Sequence, residues 1–392
     1  MSLNNNQIYT LARLAYTQVL GGNAIATEAL SDFTDEGDAS GSLASVKDQW
    51  VNALISVSAR NWFTDTSYRS EYSDPFFEDE REYGAIVQLI SATVPAVQES
   101  HAWQTIVSGT STAGQYTLYL PVVAAKLYGK TVSWELPIAV TDEQLDDAFR
   151  SADELSQFVA YIMLCVDNAL VSHLESMQEM NRNNFIAEKF VAEADPNVPG
   201  VHVVNLISAY NTERGGSIAT PADFLKDADA LRYASATIDE YSAYFGRMST
   251  MFNTAGKPRF TPNDRKVVQI LKKFAKAVRE VALSGTFNAQ YVELPNYQEV
   301  PFWQTFGTAI SWSDVSSIDV TVGDPNNPTA VTKSGIVAII VDKWAIMHTI
   351  RSHRVAVTRF DPEAITQYYY QFRDSYMNDL TMNGLVFVLQ TP

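Results

Sequence analysis

Gly129-Lys130-Thr131 ends as a phosphate-binding loop ends, with a Lys for phosphate oxygens and a hydroxyl for Mg²⁺. The full pattern G-x-x-x-x-G-K-[ST] needs Gly at 124, where this chain has Ala124, and no helix pattern follows. A turn in a ribbon is the better reading. Gly109 to Gly114 (GTSTAG) resembles a nucleophile elbow only loosely, because its spacing departs from G-x-S-x-G. The histidines, His101, His173, His202, His348 and His353, are scattered. His348 and His353 have no carboxylate at a metal-ligand spacing, and nothing resembles H-E-x-x-H. His173 falls on an apolar helical stripe, where a hydrogen-bonded core imidazole is expected. Asp142/Glu143 and Asp146/Asp147 are paired carboxylates of the kind glycosidases use. They lie on a polar helix-forming segment, TDEQLDDAF, which reads as a solvated face. The run Tyr368-Tyr369-Tyr370-Gln371-Phe372 could stack on sugars or bases. Within a strand, however, it packs a helix or a neighbouring chain. No catalytic, cofactor-binding or metal-ligating residue emerges, and no enzyme is expected.

The elements that would position these residues centre on Ser151–Phe190. Ser151 and Glu154 form an S-x-x-E capping box, and no Pro or Gly follows until Pro196. Leu155, Phe158, Val159, Ile162, Val166, Ala169, Leu170, Met177 and Met180 fall on one stripe at 100° per residue. Asp153, Gln157, Glu175, Gln178 and Arg182 lie opposite. Ala160, Leu164 and Val171 make the middle turns apolar all round, so cover is expected on both sides there. A helix over Ala152–Asn184 would run roughly 50 Å at 1.5 Å per residue. It is a spine for a body whose expected radius of gyration is about 21 Å.

The 392 residues are 46% hydrophobic and 19% charged, enough to bury a sizeable core, with a net charge of −17. So acidic a chain does not hold nucleic acid by neutralising phosphates, though it can lie beside it as a repelling surface. The single cysteine, Cys165, excludes an intrachain disulfide and reads as a small buried hydrophobe of a protein folded in a reducing cytoplasm. MSLNNNQIYT has no basic, then apolar, signal-peptide pattern, and no window approaches a membrane span.

Along the chain, Gln7–Leu20 and Val46–Ala59 read as short helices separated by the acidic, small-residue stretch 31–45. They form an arm with no core of its own. Ala85–Ile90 and Val94–Val97 are candidate strands, and Gln115–Val123 with Lys126–Val140 a candidate hairpin. An isolated ribbon is marginal in water, so one this long is expected to lie on a partner. Pro221–Tyr233 and Ile238–Met251 read as helices capped by Thr220 and Thr237. Asn253–Asn263 reads as a linker, and Lys266–Ala282 as a helix or strand–helix. The basic residues Lys272, Lys273, Lys276 and Arg279, with Arg351 and Arg354, suggest subunit pairing. Gly335–Asp342 has the apolar run of a central buried strand. Arg354–Phe360, Gln367–Met377 and Leu385–Leu389 follow as strands returning to the spine.

Two blocks carry a family resemblance: SWELPIAVTDEQLDDAFRSADELSQFV leading into the spine, and the closing YYYQFRDSYMNDLTMNGLVFVL. With the order of parts, the chain resembles the major capsid proteins of tailed bacteriophages, the Johnson fold. Within that family it is most similar to those of small short-tailed phages of Gram-positive hosts. The resemblance implies an α+β subunit with an N-terminal arm over 1–84 and an extended β-ribbon loop region over 85–150. It implies a peripheral domain with the spine over 151–253, an axial domain over 254–334, and C-terminal strands over 335–392 returning to the peripheral domain. Tyr116, Tyr119, Lys126, Lys130 and Trp134 become candidate contacts with a neighbouring subunit. Implied partners are copies of the chain in hexamers and pentamers, a separate scaffolding protein, a portal, and packaged double-stranded DNA bound without sequence specificity. No cofactor and no membrane are implied, and the place is the virion, assembled in the host bacterial cytoplasm. A tail component, or a secreted glycan-binding or glycan-cleaving protein, are the rival readings; the absence of a signal-peptide pattern argues against the second.

Overall fold

The computed structural model of the protein describes residues 75–76, 87–92, 123–128, 132–141, 152–282, 297–304, 311–324, 327–360 and 365–391. The spine forms as α1, Ala152–Ala194, whose 43 residues span about 65 Å. It continues past Asn184 and stops where Asp195-Pro196 breaks it, with Asp195 Oδ1 accepting from Asn197 N at 2.9 Å. Before α1 come β1 (Val87–Ala92), β2 (Val123–Tyr128) and β3 (Val132–Thr141). After it come β4 (Val203–Asn205), α2 (Leu206–Arg214), α3 (Pro221–Phe224) and α4 (Ala228–Tyr244). Then β5 (Lys266–Leu271) leads into α5 (Lys272–Ala277) and a π turn. Next are β6 (Gln298–Val300), α6 (Trp312–Val315) and the hairpin β7 (Ile318–Asp324) with β8 (Asn327–Lys333). The chain closes with β9 (Ile336–Asp342), β10 (Ile346–Phe360), β11 (Ile365–Asn378) and β12 (Gly384–Val388).

The architecture is α+β, with two sheets placed along one helix. A mixed five-stranded sheet has the order β4-β12-β9-β5-β6, and an antiparallel three-stranded sheet the order β10-β11-β3. Every residue of β9 and β12 is buried, as continuous apolar runs in a covered sheet should be. On β11 the period is two: Thr366, Tyr368, Tyr370 and Phe372 are buried while their neighbours are partly exposed. This sheet lies against the spine at Trp134, whose ring sits 3.9 Å from His173 of α1. Farther along, Phe185, Ile186 and Phe190 of α1 enter the main core, beneath the five-stranded sheet. Each such side chain contributes roughly 1.5–3 kcal/mol by burial. Gly384 lets the helix approach, since a Cβ there would lie 2.6 Å from the Phe185 ring.

The five-stranded sheet takes β4 from the stretch 151–253, β5 and β6 from 254–334, and β9 and β12 from 335–392. Its core therefore runs across those expected divisions. The expected hairpin between Gln115–Val123 and Lys126–Val140 is corrected. The expected turn at Ala124-Ala125 lies inside the strand Val123–Tyr128, which pairs with β1, while Val132–Thr141 pairs with β11; 115–122 lie outside the described residues. Alternation identifies a two-faced strand but not its partner. Thr237 is not a cap; it lies inside α4 and donates to Tyr233 O at 2.8 Å, while Asp227 caps that helix. Thr220 does cap α3, accepting from Asp223 N at 3.2 Å.

The polar side of the spine also differs from expectation. Asn181, Arg182 and Asn183 are buried, and Arg182 and Asn183 both donate to Trp303 O, at 3.2 and 2.6 Å. Asn181 Nδ2 reaches Met347 O at 3.4 Å, and Asn378 Nδ2 returns to Asn181 O at 3.1 Å. One turn thus bolts the helix to the three-stranded sheet and to the segment that follows β6. Met180, expected on the apolar stripe, is instead 44% exposed.

Candidate subunit interface

The pairing register of β1 and β2 fixes the two faces of a small ribbon. Val87, Leu89 and Ser91 share one face with Tyr128, Lys126 and Ala124; Gln88, Ile90 and Ala92 share the other with Leu127, Ala125 and Val123. The first face meets the body. Leu89 packs against the core and against Met347 and Met377, where Tyr128 joins it. Lys126 Nζ lies 2.9 Å from Asp379 Oδ1 and 3.4 Å from Thr381 Oγ1. Burial pushes the Asp379 carboxyl up, but hydrogen bonds from Lys126 and Thr381 outweigh it and hold it below the ordinary range. Burial and the same carboxylate push the Tyr128 phenol up.

The second face is largely open to solvent. Ile90 is 66% exposed, Leu127 64% and Val123 60%, side by side on two strands that form a sheet of their own. A cluster of large apolar side chains left in water marks a surface made for contact.

Trp134 is turned inward. Its ring stacks at 4.2 Å on Phe372 and lies 3.9 Å from His173, and Nε1 donates to Asp374 Oδ2 at 2.5 Å. Burial raises Asp374 above its ordinary range and lowers His173. The hydrogen-bonded core role expected for His173 is not what forms: the residue is half-buried, no partner among the described residues bonds its Nε2, and it makes a ring contact instead. Lys126 keeps nearly half of its side chain exposed while engaged within the chain. Tyr116, Tyr119 and Lys130 lie outside the described residues, as do the pairs Asp142/Glu143 and Asp146/Asp147.

Three of the basic residues expected to pair subunits have partners within the chain. Lys276 lies 3.4 Å from Glu280, Arg279 contacts Tyr297 and Glu299, and Arg354 donates to Gln371 at 3.0 Å. Among the described residues no group of His, Cys, Asp and Glu could hold a metal ion, and no helix is long and apolar enough to cross a membrane. Sequence reasoning missed Ile90, Val123 and Leu127 as the exposed set. Their signal was the alternation itself, which cannot say which face a body will cover.

A sequence model described as Phi29-like phage major capsid protein matches residues 13–388. No curated protein matches. Among solved structures, the chain is similar to one from the capsid of Staphylococcus phage Andhra, with 8% identity over 80% of this chain and 82% of that one, at a TM-score of 0.48. A chain from a structure of native bacteriophage P68 has 9% identity over 80% and 83%, at 0.49. One from the capsid of Cyanophage P-SCSP1u has 12% identity over 84% and 92%, at 0.44.

Proposed function

The chain belongs to the Phi29-like phage major capsid protein family, and we propose that its copies assemble as hexamers and pentamers into an icosahedral head enclosing packaged double-stranded DNA. As a major capsid protein it is a structural component of the virion, and its proposed role is non-catalytic. The observation that supports assembly most directly is the ribbon, with one face on its own body and Ile90, Val123 and Leu127 exposed on the other. A two-stranded ribbon is marginal alone, so covering that face with a neighbour would tie its stability to assembly.

In this reading 1–84 acts as an arm, 85–150 supplies the ribbon laid on a neighbour, and 151–253 with 335–392 forms the peripheral body. The stretch 254–334 meets its copies at ring centres. Proposed partners are a scaffolding protein, a portal and DNA held without sequence-specific contacts. The net charge of −17 supports an inner lining that repels the packed DNA. Assembly would take place in the host bacterial cytoplasm. Size-exclusion chromatography with light scattering, followed by electron microscopy, tests the reading. Closed shells or capsomers are expected, and a protein that stays monomeric at every concentration would overturn it.

A further inference from the structure

Outside the ribbon, a second apolar surface lies at the end of α4. Met248 is 55% exposed, Phe260 49% and Trp344 41%. Ser249 and Arg259 bridge their backbones at 2.9 Å in both directions, which holds Met248 and Phe260 beside one another. These two, with Arg259, Arg265, Met382 and the Asp342 carboxylate that Arg265 pairs with, line a cleft of about 200 Å³. Arg265 continues the surface, its guanidinium 3.8 Å from the Trp344 ring centre and 2.6 Å from Asp342. Across 245–266 and 342–344 there are six Lys or Arg against Asp264 and Asp342, a local excess of +4 in a chain of −17. An apolar cleft with a basic rim fits an acidic peptide carrying large apolar side chains.

The chain contains such a peptide. Residues 28–38, EALSDFTDEGD, hold five carboxylates with Leu30 and Phe33, and no Lys or Arg occurs from 14 to 46. Phe76 anchors the chain near this surface. Phe76 O accepts from His348 N at 3.2 Å, and His348 is four residues along the chain from Trp344, at most roughly 13 Å at ~3.3 Å per residue. From Asp38 to Pro75 the connection is long enough to fold back, and tethering raises the effective concentration of the segment to the millimolar range. We propose that the Met248–Phe260 cleft is the docking site of the chain's own acidic segment 28–38, with Phe33 or Leu30 in the cleft and the carboxylates on Arg247, Lys257 and Arg259. Nucleic acid fits the site less well, since the apolar members would have no partner on a phosphate backbone.

Peroxide oxidation of Met248, followed by mass spectrometry on the full-length unassembled subunit, reads the cover directly. Reversing the segment (Asp32, Asp35, Glu36 and Asp38 each →Lys) should speed Met248 oxidation about tenfold, which corresponds to ~1.4 kcal/mol of lost docking. Arg247→Glu with Arg259→Glu should do the same, and the two sets combined should restore protection. Circular dichroism checks that every variant is folded. An oxidation rate unmoved by either reversal overturns the proposal, as does failure of the combined set to restore it. Protection lost on dilution assigns the cover to a second copy, and protection gained only on adding DNA assigns it to nucleic acid; either overturns docking within one chain.

Discussion

Lys126 reaches Asp379 across 253 positions of sequence, and the 2.9 Å bond joins the ribbon to the turn between β11 and β12. The two partners differ sharply in environment: the Asp379 side chain is 1% exposed and that of Lys126 47%. Thr381 N and Oγ1 also donate to the carboxylate, at 3.0 and 2.7 Å. The ion pair thus orients the ribbon with its inner face against Met347 and Met377 and its outer face towards solvent. A candidate contact with a neighbour turns out to aim the residues around it.

Lys126→Ala should therefore loosen the ribbon more than the body. Asp379 keeps its Thr381 donors, so the expected cost is about 1–2 kcal/mol, between an exposed pair and a fully buried one. Hydrogen exchange should rise in 87–92 and 123–128 and stay unchanged in β9 and β12. Equal protection in both regions would remove the orienting role.

Ile90→Asp with Leu127→Asp tests the outer face. Both side chains are about two-thirds exposed, so subunit stability should change by less than ~0.5 kcal/mol. Covering two such side chains at an interface is worth roughly 1.5–3 kcal/mol each, so the assembled fraction should fall at least about tenfold. Sedimentation separates shells from subunits, and normal shell yield would show that this face stays uncovered in the assembly.

Much of this was legible from residue order, and the limits have physical causes. The spine, the buried strand Gly335–Asp342 and the inward face of Tyr368, Tyr370 and Phe372 follow from periodicity alone, because burial selects apolar residues at 3.6 or 2 residue intervals. The stacking of Trp134 on His173 and Phe372 was not legible, because it depends on a pairing with β11 that lies 240 positions away. Arg182 read as part of the polar side, and Asn181 and Asn183 gave no signal, for a similar reason. Their partners, Met347 O and Trp303 O, are backbone atoms, which leave no mark in a sequence. The cleft was hidden because Met248 read as part of a helix over Ile238–Met251, which ends instead at Tyr244, while Phe260 lay in the linker Asn253–Asn263, so no single period joined them.

Lys189 provides a pH test of the core. The side chain is fully buried, its Nζ donates to Phe252 O at 3.3 Å, and burial pulls its pKa from 10.5 down to about 7 despite the opposing fields of Asp379 and Glu188. A base with a depressed folded pKa binds fewer protons folded than unfolded between pH 7 and 10.5, so stability rises with pH across that window. The wild-type subunit should gain on the order of 3 kcal/mol there in urea unfolding. Lys189→Met should show a flat profile over the same range and greater stability than wild type at pH 6.5. A parallel rise in both proteins would assign the gain to other groups.

His202 acts in the opposite window. Its imidazole is buried, and burial together with the nearby Lys189 ammonium lowers its pKa from 6.5 to about 4, with Glu193 pulling the other way. Below pH 6.5 the unfolded chain takes up the proton while the folded one does not, so stability is lost as pH falls from 6.5 towards 4. His202→Gln removes that titration but leaves the backbone bond from residue 202 N to Glu193 Oε2, 2.7 Å in the wild type, free to form. The variant should lose about 1–3 kcal/mol less than wild type between pH 6.5 and 4.5, even if its stability at neutral pH is lower. Asp374 works against the same trend in both proteins, because burial raises its folded pKa and makes the native state bind protons sooner. The informative quantity is therefore the difference between the two pH slopes, which cancels Asp374. Identical slopes would mean that His202 is already protonated inside the native fold and that its burial is compensated by a partner.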